Sequence, residues 1–175
     1  MDIERIKTAD GGAVYQREGA NARWKTIDTH LAHIDWGGQV NGGVWQSMGE
    51  SLSRDSVGVV TLQRFDDVEF EFPNLPTLAR NITRSNAPAA LIARPDQVDF
   101  FSWYTGKVAQ IGVVRVLFLS SEIESAFRWA ERIAGATRAA LAHTANAPRP
   151  ARFGRRAASP SKRQQTLRAV KNPTR

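Results

Sequence analysis

The chain has 175 residues, 42% of them hydrophobic, which suits one packed domain and a tail. No apolar run reaches the ~18 residues of a membrane span, and the first residues, MDIERIKTADGG, are too charged for a secretory leader. There is no cysteine, which excludes disulfides, thiolate metal sites and cysteine nucleophiles and fits a reducing, cytoplasmic setting. The net charge of +7 is unevenly placed: nine of the 24 basic residues lie from Arg149 onward and no acid follows Glu131, so the first 148 residues set 15 bases against 17 acids and carry −2.

In chain order, residues 1–11 are expected to be a flexible N-terminus. GAVYQRE then reads as a short strand, and RWKTIDTHLAHIDW as one or two more, with a turn at Gly37-Gly38. In NGGVWQSMGESLS, Val44, Trp45, Met48 and Leu52 recur at helical spacing. VGVVTLQRF has the β-branched content of a buried strand, and VEFEF alternates, with Val68, Phe70 and Phe72 on one face and Glu69 and Glu71 on the other. Asn74 is placed to cap a helix with Pro76 near its start and Leu75, Leu78, Ala79 and Ile82 on its inner side.

APAALIAR reads as the next strand. A helix from about Asp96 or Asp99 carries Val98, Phe101, Tyr104 and Val108 inward, and Gly112 is placed to end it. VVRVLFL is the last strand. In the closing helix, Ser121 and Glu124 match a capping box, and Ile123, Ala126, Phe127, Ala130, Ile133 and Ala134 form the apolar stripe. The helix ends at Gly135 or continues through ATRAALAHT. This order predicts an α/β domain over residues 12–145, with a mixed sheet whose parallel part is built from right-handed crossovers. Residues 146–175 have too few large apolar side chains to offset chain entropy and are expected to be a disordered basic tail.

Little in the sequence points to catalysis. His30 and His33 have opposite parity on a strand and His143 lies near the tail, so no metal site is expected. Neither phosphate-binding glycine motif occurs, nor the G-x-S-x-G serine motif, so no cofactor or enzymatic activity is expected. The acids Asp66, Asp67, Glu69 and Glu71 read as a solvated face able to hold the basic tail weakly. In FFSWY, Phe101 and Tyr104 share the inner helix face while Phe100 and Trp103 fall off it. Asn74, Phe100, Trp103 and Tyr104 are therefore the candidate interaction surface. In the tail, Arg149, Arg152, Arg155, Arg156, Lys162 and Arg163 are candidates for contacts with nucleic acid or another anion.

The succession VGVVTLQRFDDVEFEF, helix, PAALIARPDQVDFFSWYTGKVAQIGVVRVLFLSSEIESAFRWAERIA, within residues 23–134, resembles the STAS-like domains, the bacterial-type anti-sigma-factor-antagonist fold. The resemblance implies a STAS-like mixed β-sheet with alternating helices and a non-enzymatic regulatory role as a protein-interaction module. The family's phosphoswitch members carry Asp-Ser at the helix start after the central strand. Here that turn is EFEFPNLP, with Asn74 and no serine, so the resemblance comes without that switch. A protein partner is expected, with self-association in homo-oligomers as one form. The alternatives are nucleic-acid binding through the tail and a small apolar or anionic ligand.

Overall fold

The computed structural model describes residues 3–71 and 87–146, with the side chains of the last helix described through His143. Seven strands form one sheet in chain order: β1 (Glu4–Lys7), β2 (Ala13–Arg17), β3 (Ala20–Asp28), β4 (Leu31–Asn41), β5 (Val60–Glu71), β6 (Ala89–Ala93) and β7 (Arg115–Leu119). Strands β1 to β4 are an antiparallel meander, and β4 to β7 pair in parallel. The described helices are α1 (Gly42–Asp55), α2 (Val98–Ala109) and α3 (Ile123–Asn146). The fold is thus mixed α/β, as the sequence pattern predicts.

Local chemistry explains the switch of strand direction. Arg17 pairs with Ala20 across the two-residue turn Glu18-Gly19, both with positive φ (51° and 83°), the conformation that matches strand twist in a tight hairpin. Asp28 Oδ1 accepts from the His30 N–H at 2.6 Å and closes the next hairpin. After β4 the chain must return to start β5 in the same direction, and α1 makes that crossover. Asn41 caps α1, its side chain accepting from the Val44 N–H at 2.9 Å.

The antiparallel half buries one face and the parallel half both. On β3, buried Ala20, Ala22 and Trp24 alternate with exposed Asn21, Arg23 and Lys25, whereas all five residues of β6 are buried. Helices α1 and α2 cover one face, packing Val44, Met48, Leu52, Phe101, Tyr104 and Val108 on Ile34, Trp36, Phe65 and Leu91. Helix α3 covers the other, with Ala126, Ala130 and Ala134 on Leu31, Leu62, Ala90 and Ile92. Among the described residues no helix is long and apolar enough to cross a membrane.

Several local expectations need correction. Residues 1–11 are not simply a flexible lead: Glu4–Lys7 form edge strand β1. Its anchor is polar, because Arg5 reaches Tyr15 Oη and Asp55 Oδ2, each at 3.1 Å, and Tyr15 donates to the same carboxylate. Gly37-Gly38 is not a turn but lies inside β4, where Gly38 passes close beneath the Glu18-Gly19 turn. The turn falls instead at Thr29-His30, where Asp28 supplies the hydrogen bond. The cap of the closing helix also differs. A 3-10 turn at Ser120–Glu122 precedes α3, and Glu122 Oε2 accepts from the Leu119 N–H at 2.9 Å, which replaces the expected Ser121–Glu124 box. Helix α3 runs past Gly135. The expected helix beginning at Asn74 lies outside the described residues, as does the tail.

Candidate functional site

Among the described residues, polar side chains from three strand ends meet at the carboxyl end of β5. β5 pairs with β6 only over Thr61 to Arg64, but continues beside β4 to Glu71. Its end therefore projects past β6. Opposite Trp36, β5 holds two residues, Phe65 and Asp66, because Asp35 pairs with Arg64 and Gly37 with Asp67. This bulge re-aims the strand. Phe65 and Val68 both reach the core beneath the helices, while Asp67, Glu69 and Glu71 stay exposed.

Asp66 is the hub. It accepts from Arg64 NH2 at 2.7 Å and Nε at 3.2 Å, and from the hydroxyl of Ser120, which follows β7. Arg94, which follows β6, donates to the Asp66 carbonyl at 2.5 Å and grips Asp96 with two bonds of 3.0 Å. Gln97 is buried and donates to the carbonyls of Phe65 and Val68, both at 3.0 Å, where β5 has run past its pairing with β6. Residues from three successive strand ends are thereby tied together at one point.

The electrostatics follow. Burial pushes the Asp66 carboxyl up, but the hydrogen bonds from Ser120 and Arg64 and the nearby arginine charges outweigh it and hold the group below the usual carboxylate range. His33 sits on the same side, packed on Phe127 with its Nε2 3.4 Å from Asp35 Oδ1. That contact lacks hydrogen-bonding geometry, so Nε2 is the one buried side-chain polar atom without a hydrogen bond among the described residues. Burial pushes its imidazole down; Asp35 opposes this, and Arg64 and Lys25 reinforce it.

Both groups therefore bind protons less readily folded than unfolded, and stability should fall with acid in two stages. The His33 share is complete above the unfolded value, near 6.5, and is lost as the pH falls from there to its lower folded value. The Asp66 share is lost at lower pH, from its unfolded value of about 4 down through the depressed folded one. A series of thermal melts from pH 8 to pH 3 checks this. His33→Gln should remove the first stage and Asp66→Asn should flatten the second. A wild-type midpoint that stays constant throughout contradicts the assignment.

The aromatic helix splits between core and surface. Tyr104 is buried, edge-on to Trp45 at 5.6 Å, and so is not part of an outer surface. Phe101 is fully buried. Phe100 and Trp103 are half-buried; Phe100 lies 5.1 Å from Phe70 at the projecting end of β5 and 6.3 Å from Trp103. Asp96 and the neighbouring Asp99 are exposed at the start of α2. The structure thus brings Phe100 close to the end of β5 that bears the acids, a proximity that strand and helix periodicities do not reveal. Asn74 and Arg149, Arg152, Arg155, Arg156, Lys162 and Arg163 lie outside the described residues.

Sequence inspection missed Arg64, Arg94, Gln97 and Ser120. The available signal was spacing: Arg64 and Asp66, like Arg94 and Asp96, stand two apart, which lets each arginine fold back onto its acid. A separate polar interior was also missed. A cavity of about 40 Å³, room for a few waters at most, lies between helices and sheet and is lined by Trp36, Trp45, Ser53, Gln63, Tyr104 and Arg115. The Arg115 guanidinium donates there to the carbonyls of Ala87 and Val114, joining the starts of β6 and β7. Among the described residues no three His, Asp or Glu side chains converge as metal ligands. No family model, curated protein or solved structure matches the chain.

Proposed function

We propose that the chain is a regulatory protein-interaction module, acting by binding rather than catalysis, and that it recognises a basic polypeptide segment at the carboxyl end of β5. The single observation that carries this is the set of exposed acids at the projecting end of β5, Asp67, Glu69 and Glu71, beside Arg94 and its partner Asp96. The charge partition of the chain supports it: a body of net −2 precedes nine basic residues without an acid. The resemblance to STAS-like regulators supports a binding role as well. On this account the chain's own tail, from Arg149, is a resident competitor for the surface that the partner uses.

The energetics suit regulation. Each exposed ion pair contributes only about 0–1 kcal/mol, so contact with the acidic end is weak, cumulative and salt-sensitive. Tethering gives the tail an effective concentration on the order of millimolar, enough to compete without tight intrinsic binding. The test uses a fluorescent peptide of residues 149–175 as the probe, titrated into the full chain and into a chain ending at Pro148. The truncated chain should bind the peptide roughly tenfold more tightly, because the resident competitor is gone. The Glu69→Lys, Asp96→Lys, Asp99→Lys triple variant of the truncated chain should lose most of that binding. Equal affinity for the two chains, with no effect of charge reversal, would overturn the proposal. Retention of a DNA duplex that is lost on truncation, alongside that null peptide result, would favour nucleic acid as the tail's partner.

A further inference from the structure

The two ends of the parallel strands differ in kind. β4, β5, β6 and β7 start level, with Leu31 beside Val60, Thr61 beside Ala89, and Ala89 beside Arg115. The acids of β5 lie at the far, carboxyl end. Six large apolar side chains are exposed among the described residues, and five of them gather at the starting end. Ile27 sits where β3 meets the start of β4. Val57 lies between α1 and β5, and Ile111 and Val114 lie between α2 and β7. Leu141 belongs to α3, which returns from the carboxyl end and has reached the starting end at Arg138, whose guanidinium holds Asp28 at 2.8 Å. Ile6 on β1 is the exception. Exposed apolar residues scattered singly are ordinary, but five drawn from both helix layers and the sheet at one end form a surface.

The charge at this end suits an anionic neighbour. Arg54 and Lys107 are exposed in the last turns of α1 and α2, where they offset the negative helix ends. Asp55 is engaged by Arg5 and Tyr15, and Asp28 by Arg138. Past Arg138, α3 exposes Ala139, Ala140, Leu141 and Ala142, and no acid follows Glu131. The helix ends at Asn146, so the chain leaves the domain here, and its nine basic residues begin three positions later at Arg149. An apolar surface and a polybasic segment therefore start from one place. A nucleic acid would meet the charges but offers no apolar phase for Val57, which is 82% exposed, or for Ile111. A bilayer with anionic headgroups takes both.

We infer that this end of the domain docks on an anionic membrane surface. Val57, Ile111 and Leu141 enter the boundary between headgroups and acyl chains, and the basic segment holds the headgroups. Each signal is weak alone, and stable attachment takes the two together. The surface lies at the opposite end of the sheet from the acids of β5, and the peptide titration above does not involve its apolar residues, so the two proposals fail independently. Cosedimentation of the full chain with lipid vesicles is the test, using phosphatidylcholine alone and phosphatidylcholine with about 30% phosphatidylserine. The wild type should bind the anionic vesicles roughly tenfold or more tightly than the neutral ones. The Val57→Ser, Ile111→Ser double variant keeps every charge and alters only exposed turn residues, so it should keep the wild-type circular dichroism while binding the anionic vesicles roughly tenfold more weakly. A chain ending at Pro148 should lose most of the binding. A wild type left in the supernatant by anionic vesicles would overturn the inference. So would a double variant that binds as the wild type does, the mark of a tail acting by charge alone.

Discussion

Gly38→Ala is expected to cost about 3–5 kcal/mol of unfolding free energy, from backbone strain and steric overlap together. Gly38 has φ of +82°, which an L side chain adopts only under strain. A methyl group there would also drive into the carbonyl oxygen of Gly19 and lie 3.1 Å from its carbonyl carbon. Both obstacles are backbone, and Glu18-Gly19 is already committed to a tight turn, so neither side yields easily. Gly37→Ala is the internal control. A methyl group there meets the Asn21 side-chain amide at 3.3 Å, a flexible group that can shift, and the cost should be about 1 kcal/mol or less. Urea denaturation of the two variants side by side measures the contrast. Equal midpoints would mean that β4 does not pass beneath the hairpin as described.

Phe65→Ala is the second large effect, at about 3–5 kcal/mol. Phe65 is fully buried and stands at the centre of an aromatic cluster, 4.6 Å from Phe101, 5.6 Å from Trp36 and 5.8 Å from Trp45. It joins α1, α2 and the sheet in one contact set, and its surroundings are large rings that cannot collapse into the space a methyl group leaves. Phe65→Leu keeps much of the volume and should cost no more than about 1.5 kcal/mol. Against a total stability of about 5–15 kcal/mol for a domain of this kind, the alanine variant should lose a large share of its margin, and urea denaturation followed by circular dichroism reads this directly.

Much of the fold was legible in the sequence because it rests on short-range patterns. The alternation of β3, the apolar run of β6 and the helical stripes of α1, α2 and α3 each declare their own period. What was hidden depends on pairing between distant segments. Gly37-Gly38 reads as a turn because the reason for two glycines, the approach of residues 18–19, lies about twenty residues away in the chain. β1 was missed because an exposed edge strand has no apolar face to announce it; Arg5 earns its place through Tyr15 and Asp55. The bulge at Phe65-Asp66 leaves no local mark beyond two adjacent acids, yet it separates the core-facing side of β5 from the acidic one. The candidate site was half visible: the acids and Phe100 stood out by composition, while Arg64, Arg94 and Ser120 became meaningful only when three strand ends met at Asp66.

The most direct measurement of the proposed function follows from the chain's lack of cysteine. A single nitroxide attached to Gln165→Cys in the full chain reports where the tail spends its time, through broadening of nearby amide resonances. The account predicts broadening concentrated at Asp66 to Glu71 and at Asp96 to Phe100. It should be relieved by 0.5 M salt and by the Glu69→Lys, Asp96→Lys, Asp99→Lys triple variant. Broadening spread evenly over the domain, or centred elsewhere and indifferent to those charges, would contradict it.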